Sequence, residues 1–339
     1  MVLKPDRRLV DREGILNPAC TRLRDGALQL FPRMVAPGNV SRIGRFRARE
    51  HKGGKLTFDQ TGFALEPRAP YEMRNDSDGH GCEDPRVTYI AVLDRYVMAY
   101  VAFGPSGPQV AVAVSKDGNA WQRIGLMCVH KQGTRFADKD AAFFPEPVLS
   151  PRGIPSLALY HRPTLWALWR KHGAAGAKVL LKRAPEQREN IAIGYVSLDA
   201  VRKDLRKICE VIEAHPLKLP TASWGQVKVG GGTPPVRIRE GWLALIHGVD
   251  QLRERNGATR LRYCAGVIVH SASHIDKVLY RSPQPLFVPE LPIEVRGKAG
   301  EVVFPTAIDP RPDVGDRVYD IYYGMGDRAV GRGRLTLSP

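Results

Sequence analysis

Disulfide and zinc chemistry have little to work with in this chain. It carries five cysteines in 339 residues, an odd number with no CxxC pair, so neither a disulfide framework nor a structural zinc site organises it, and reduced thiols are expected. No apolar run approaches the roughly 18 residues that a membrane-spanning helix requires, so no membrane partner is expected. The opening stretch MVLKPDRRLVDREG has no apolar core of the kind a secretory leader needs, and a cytoplasmic location is the expectation. Aromatic residues are only 8% of the chain and no nucleic-acid-binding motif occurs, which argues against a nucleic-acid partner. Neither His161 nor His247 stands at metal-ligand spacing with another histidine, so no metal is expected. The glycine run KVGGG (residues 228–232) lacks the following Lys-Ser/Thr of a nucleotide loop; its glycines more simply allow close backbone approach.

Acidic residues are in deficit. Lysine and arginine number 51 against 35 aspartates and glutamates, a formal charge of +16, which favours an anionic partner such as a phosphate-bearing one. Glycine (33) and proline (27) are plentiful and scattered, pointing to turns and short strands rather than long helices. Five strand-like segments each hold a proline: LFPRMV, CEDPRVTYIAV, AFFPEPVL, GTPPVRI and VVFPTAI, at Pro32, Pro85, Pro145, Pro235 and Pro305. Four are followed by a turn and a second apolar strand, such as DRYVMAYVAFG or EGWLALIHGV. A repeat of this size with several strands per unit predicts an all-β fold, a five-bladed β-propeller, whose innermost strands carry the prolines; a pair of β-sandwiches is the alternative. Helix is predicted over Leu198–His215, where apolar residues recur at 198, 201, 205, 208 and 212. The basic, alanine-rich stretch 164–189 reads as an insertion, extending to about 165–215 with that helix. The expected organisation is an N-terminal extension over residues 1–29 packing on a catalytic propeller over 30–339.

The stretch GCEDPR (residues 81–86) sets two carboxylates side by side before an apolar run. Pro85 disfavours helical backbone at Asp84, and on an extended strand neighbours point to opposite faces. Asp84 and Arg86 then share one face and Glu83 takes the other, so the two acids are not expected to serve one site as an acid/base pair. Taken alone, such a stretch reads first as a turn with Asp84 ion-paired to Arg86.

It does not stand alone. GCEDPR, NVSRIGRFR (39–47), DKDAAFFPE (138–146), YHRP (160–163), KVGGGTPPVRIREGWLALIHGV (228–249), VVFPTA (302–307) and YYGMGD (322–327) occur in an order that resembles glycoside hydrolase family 130, the β-mannoside phosphorylases and related β-mannosidases. The resemblance spans about residues 30–330, apart from the stretch around 165–215, and implies a five-bladed propeller. It implies that Asp84 is the general acid, passing its proton through a sugar hydroxyl, and that Asp327 holds the mannosyl residue. Asp140 matches another family acid, assigned to sugar binding or to ordering Lys139, and Arg86 and His247 complete the expected substrate-binding set. Lys139 and Arg162 match the family's phosphate contacts, with Arg42, Arg47, Lys228 and His161 as further candidates. Ile246 departs from the family, many members of which carry a tyrosine there.

A glycosidase needs two carboxylates, whereas a phosphorylase replaces one of them with a cationic cradle for inorganic phosphate. The expected activity is therefore inverting phosphorolysis of a β-1,2- or β-1,4-mannoside to α-mannose 1-phosphate, with phosphate as co-substrate and no cofactor. Hydrolysis by a β-mannosidase is the alternative, since family hydrolases replace the phosphate-binding cations by acids. A basic nucleic-acid-binding propeller and a non-catalytic sugar-binding propeller are the readings from other classes. A homo-oligomer is left open.

Overall fold

The computed structural model describes residues 1–6, 13–52, 54–74, 79–129, 136–253, 259–297 and 300–338. The chain is mostly β-sheet with few short helices, as the turn-rich composition requires. Strands β1 (Gly14–Arg22), β2 (Leu28–Ala36), β3 (Val40–His51) and β4 (Lys55–Leu65) run antiparallel in chain order, as do β5 (His80–Ile90), β6 (Arg95–Gly104), β7 (Gly107–Ser115) and β8 (Gln122–Leu126). The two runs form one sheet only through a short parallel ladder that pairs Val40 and Ser41 with His80 and Gly81. After the short β9 (Cys128–Val129) comes a second sheet of β10 (Asp138–Phe143), β11 (Val148–Leu149), β12 (Pro155–Pro163) and β13 (Ala192–Ser197). It is completed beyond β14 (Glu210–Val211), a parallel partner of β9, by β15 (Glu213–Pro216). The third sheet repeats the first. Strands β16 (Lys228–Gly231), β17 (Val236–Ile238), β18 (Gly241–Arg253), β19 (Thr259–His270) and β20 (Val278–Arg281) are antiparallel, as are β21 (Glu301–Pro310), β22 (Val318–Met325) and β23 (Ala329–Thr336). A parallel ladder of Arg262 and Tyr263 with Glu301 and Val302 joins the two halves.

Apolar clusters connect these layers in a cycle. Val112, Phe143 and Leu159 bind the first sheet to the second. Phe144, Tyr160, Trp242 and Ile246 bind the second to the third, and Leu30, Ala307, Tyr322 and Val330 bind the third back to the first. Two further clusters lie within the eight-stranded sheets, between their halves. Strand β1 packs on β5 and β21, β5 on β10, and β10 on β16, so one strand from each group gathers on a common centre.

Residues 14–22, expected within an extension, form β1 and pair with β2, and the boundary drawn at residue 29 falls inside β2. The prolines do not all mark the inner strands. Pro85 and Pro305 lie within β5 and β21, but Pro32 sits in β2, and Pro145 and Pro235 follow β10 and β16. The stretch 164–189 is indeed helical and basic, with α1 (Trp166–His172) and α2 (Gly176–Leu181). The predicted helix over Leu198–His215 is not continuous: α3 spans only Leu198–Lys203. Asp204 leaves helical geometry (φ −146°, ψ 111°) and accepts a bond from the Arg206 N–H, starting a new turn over Leu205–Cys209. Residues beyond it join β14 and β15, because pairing with β9 and β13 satisfies their backbone and buries Val211. The insertion therefore ends near residue 189. A fourth helix, α4 (Pro292–Val295), precedes β21.

All five cysteines are free thiols. Among the described residues no helix is long and apolar enough to cross a membrane, and no group of three or more metal-ligating side chains occurs.

Phe144 is fully buried where it meets Tyr160, Trp242 and His270 edge-on, at 5.2, 5.7 and 5.8 Å between ring centroids. Phe144→Ala is expected to destabilise the fold by about 3–5 kcal/mol through the cavity it leaves, measured by urea denaturation.

Candidate active site

Among the described residues, six other than glycine have positive φ: Asn17, Asn39, Asp84, Asp94, Asp140 and Asp327. Four of them, Asn17, Asp84, Asp140 and Asp327, line one cavity of about 300 Å³. Three interrupt strand ladders in the same way. The register slips between Leu16 and Ala19, between Glu83 and Arg86, and between Lys139 and Ala142, which places Asn17, Asp84 and Asp140 in bulges. Asparagine and aspartate tolerate left-handed backbone best among residues with a Cβ, at a cost on the order of 1 kcal/mol each. Asp327 reaches the cavity from a tight turn instead, in which Gly326 and Asp327 both have positive φ and the Arg328 N–H donates to the Met325 carbonyl at 3.0 Å.

The bulge overturns the strict alternation expected at the acid pair. Asp84 is left-handed (φ 44°) rather than extended, and Glu83 and Asp84 are bridged by one guanidinium. Arg33 donates to Glu83 Oε1 at 2.8 Å and to Asp84 Oδ1 at 3.4 Å. Asn17 Nδ2 donates to Asp84 Oδ1 at 2.9 Å, and Lys139 Nζ stands 3.9 Å from Glu83 Oε2. Arg86 does not project towards a ligand. It is fully buried and donates to the carbonyls of Gly232, Asp84 and Gly231 at 2.9, 3.0 and 3.1 Å, fastening β5 to the glycine run. Its Nη2 lies 3.7 Å from Asp140 Oδ1.

Asp140 meets Arg162 and His247 as well as Arg86. Arg162 Nε donates to its Oδ2 at 2.6 Å, and His247 Nε2 lies 3.6 Å from the same oxygen. A Cβ at Gly230 would collide with both His247 and Asp140, so the glycine there serves close approach to side chains. Arg162 also donates to Glu189 Oε2. Lys228 Nζ rests over the Trp169 and Tyr263 rings, 4.3 and 5.4 Å from their centroids. Trp166 and Trp169 bring α1 to the cavity wall.

Burial and charge sort the titrating groups. Burial pushes the Asp84 carboxyl up, but Arg33, Lys139, Arg86 and the Asn17 bond outweigh it and hold it below the ordinary value. Asp327 is raised, by burial and by its neighbours Asp84 and Glu83, against the opposing pull of Arg33 and Lys139. Asp140 is driven well below the carboxylate range: Arg162, His247, Arg86 and Lys139 together overcome its burial. His247 is lowered to about 3 by burial and by the surrounding cations Arg162, Arg86 and Lys228, which outweigh Asp140, so its ring is neutral at physiological pH.

Of the anticipated residues, the structure brings Asp84, Lys139, Asp140, Arg162, Lys228, His247 and Asp327 to one cavity, with Arg86 directly behind it. Three lie elsewhere. Arg42 pairs with Glu66 at 3.3 Å and covers Phe63, and Arg47 pairs with Asp25 on the exposed surface. His161 is held by Asp138 Oδ2 at 2.7 Å. It borders a larger cavity of about 540 Å³, none of whose described lining residues is lysine or arginine. As neighbours on β12, His161 and Arg162 face opposite sides. Sequence reasoning missed Asn17, Arg33, Glu189, Trp166, Trp169 and Tyr263. Arg33 lay in view one residue after Pro32, in a segment read only as a strand. Asn17-Pro18 resembles Asp84-Pro85, a signal that could have found the first bulge.

The family description "beta-1,4-mannooligosaccharide phosphorylase" of glycoside hydrolase family 130 matches residues 10–338. The chain belongs to glycoside hydrolase family 130. It is similar to the 1,2-beta-oligomannan phosphorylase of Thermoanaerobacter sp. (strain X514), with 23% identity over 333 residues, 95% of this chain and 89% of the relative. It is also similar to the beta-1,2-mannobiose phosphorylase of Listeria innocua, with 27% identity over 285 residues, 84% of this chain and 63% of the relative. The solved structure of a Listeria innocua beta-1,2-mannobiose phosphorylase in complex with beta-1,2-mannobiose superposes with a TM-score of 0.68 at 20% identity, covering 95% of this chain and 89% of that one. A solved family 130 structure described among glycoside hydrolases that target beta-1,2 mannosidic linkages gives 0.67 at 18%, covering 96% and 87%. These likenesses fix the fold and leave the site to be read from its own residues.

The lowered His247 carries a signed pH dependence. The unfolded chain binds a proton at this residue near pH 6.5 that the folded chain refuses until about pH 3. The stability contributed by neutral His247 is therefore complete above about pH 6.5 and is lost as pH falls towards its folded value. His270, lowered to about 4, acts with the same sign. The thermal midpoint of the wild type should fall between about pH 7 and about pH 4, and His247→Gln should flatten that slope.

Proposed function

We propose that this protein carries out inverting phosphorolysis of β-mannosides, releasing α-mannose 1-phosphate and a shortened acceptor, on a five-bladed β-propeller that forms one catalytic domain. Five apolar clusters, each between successive strand groups, support the five-bladed reading. In it, the eight-stranded sheets are pairs of blades joined by their short parallel ladders, and residues 14–22 belong to the first blade.

One observation carries the choice of reaction. The described lining residues set three carboxylates, Asp84, Asp140 and Asp327, against four cations, Arg33, Lys139, Arg162 and Lys228. Asp140 is committed to Arg162, and Asp327, which lies in the field of Asp84, Arg33 and Lys139, is assigned to the mannosyl residue. Glu189 is fully buried behind Arg162 and is not at the cavity surface. A hydrolase needs a second carboxylate to deprotonate water or form a covalent intermediate. Phosphate is already anionic and needs positioning and charge neutralisation, which Lys139, Lys228 and Arg162 supply.

Asp84 is the general acid. A phosphate oxygen bonds to the anomeric carbon from the face opposite the leaving group. As the glycosidic C–O bond breaks, the leaving oxygen takes the proton that Asp84 supplies through a hydroxyl of the mannosyl residue. The surrounding cations hold the Asp84 carboxyl below its ordinary value. Phosphate seated beside Lys139 offsets one of those cations and returns proton affinity to the carboxyl. Asp327, already raised, holds the mannosyl residue, and His247, neutral, keeps Asp140 and the cradle in place.

Asp84→Asn should fold normally and lose about 10² to 10⁴ in turnover, the usual contribution of a general acid. Lys139→Ala should raise the phosphate KM by about tenfold, one charge-assisted contact, with a smaller effect on mannoside binding. Initial rate against phosphate concentration, with proton NMR of the first-formed sugar phosphate, tests the reading. Rates independent of phosphate with free mannose as product would replace it by the β-mannosidase reading, and a β-phosphate would contradict single displacement.

A further inference from the structure

Arg162, one of two guanidiniums that line the cavity, has much of its charge already engaged. Its Nε donates to Asp140 and its Nη1 to Glu189, and all three side chains are buried. Glu189 stands at the C-terminal end of the helical insertion and ties it to the site through both ends of its carboxylate. Oε2 takes Arg162. Oε1 accepts from Thr164 Oγ1 at 2.8 Å, from the Leu165 N–H at 2.8 Å, and from the Trp169 indole N–H. The Glu189 carbonyl accepts from the Val229 N–H at 3.1 Å, so the same residue also anchors the strand that carries Lys228. The pair with Arg162, the pull of Lys228 and the Thr164 and Trp169 bonds overcome its burial and keep it ionised.

The consequence is a cancelled field. Arg33, Arg86, Lys139, Arg162 and Lys228 face Glu83, Asp84, Asp140, Glu189 and Asp327. Lys228 is the cation least engaged. It lies over two aromatic rings and pairs with no carboxylate among the described residues. Glu189 does not reach the cavity and contacts no reacting atom.

We propose that Glu189 is a positioning residue that limits phosphate affinity: it locks the Arg162 guanidinium and offsets its charge, leaving Lys228 to supply unspent positive charge to the phosphate and to the mannose 1-phosphate product. This rests on the phosphorolytic reading. A site in which Arg162 were unrestrained would bind both anions more tightly and release the product more slowly, because binding energy shared by ground state and product does not speed turnover.

Glu189→Gln keeps the side chain's size and an oxygen for the Thr164, Leu165 and Trp169 donors, and removes the charge together with the acceptor that holds Arg162. The phosphate KM should fall about tenfold, as should the KM for mannose 1-phosphate in the synthetic direction, the equivalent of one charge-assisted contact. Turnover should fall as product release slows, with the mannoside KM unchanged. Glu189→Asp, which keeps the charge, should retain the wild-type phosphate KM. A residue that only braces the fold would weaken every constant in both variants. An unchanged or higher phosphate KM in Glu189→Gln overturns the proposal. If that variant does not fold, Lys228→Met decides: it should raise the phosphate KM at least about tenfold, and no change overturns the proposal. Calorimetric titration of inorganic phosphate without mannoside separates this inference from the reaction itself. Should wild-type turnover prove independent of phosphate, the phosphorolytic reading fails on its own. Tighter phosphate in Glu189→Gln than in wild type still supports the role of Glu189, whereas equal, weaker or undetectable binding in both overturns it.

Discussion

The architecture of this site depends on a backbone device: three of the strands that line the cavity break their ladders once, and the residue in each break enters the cavity. A regular strand sends alternate side chains to the two faces of its own sheet, the route by which Arg33, Arg162 and Lys228 reach the cavity; the central acids need another direction. A bulge supplies the missing direction by inserting one residue and re-aiming its neighbour. Asn17, Asp84 and Asp140 occupy such bulges, in β1, β5 and β10, each with left-handed backbone. The strain is held in place by the apolar clusters on both sides of each strand. Glycine would relieve it more cheaply but would carry no chemistry; aspartate and asparagine are the residues that combine tolerance of this backbone with a polar group.

Bringing acids to one point in a desolvated cavity creates an electrostatic demand that the rest of the site meets. An isolated buried carboxylate would take a proton. Asp84 is kept ionised by Arg33, Lys139 and Arg86, and Asp140 by Arg162, Arg86 and Lys139. The same cations serve the second anion of the proposed reaction. Two functions therefore compete for each guanidinium, holding the acids and holding phosphate. The structure resolves the competition by division of labour: Arg86 and Arg33 hold carboxylates and backbone, Arg162 is locked between two acids, and Lys139 and Lys228 face the opening. Burial without a partner shapes the neutral member of the group as well, since it is the surrounding cations that keep His247 uncharged.

What could be read from the chain alone was uneven for identifiable reasons. Local chemistry was legible. GCEDPR, DKDAAFFPE and YYGMGD placed Asp84, Asp140 and Asp327, and the Gly-Asp turn at the last of these follows from residue type alone. The helical, basic character of residues 164–189 was legible too, because alanine and lysine favour helix wherever packing does not decide. The continuous helix over 198–215 failed because its period was right only for its first turns; beyond Asp204 the backbone found better partners in β9 and β13. Arg42 and Arg47 failed because basic residues at regular spacing on β3 say nothing about which face meets the centre. Ile246, set in place of the tyrosine found in many relatives, proved to be a fully buried core residue, a role that its apolar character fits.

The sequence by itself determined the kind of fold, the family and the identity of the central acids, because each rests on short-range pattern: turn residues, strand composition and motifs of adjacent residues. Tertiary structure alone decided the directions of the side chains and the state of their charges. A bulge shifts a side chain to a new face through pairing with a strand that is distant in the chain, as Asp84 shows. Arg33 reaches Glu83 across 50 residues and Arg162 reaches Glu189 across 27. Charge acts through space, so whether a carboxyl holds its proton depends on which cations the packed sheets have brought within a few ångströms, and no local reading of the chain contains that distance.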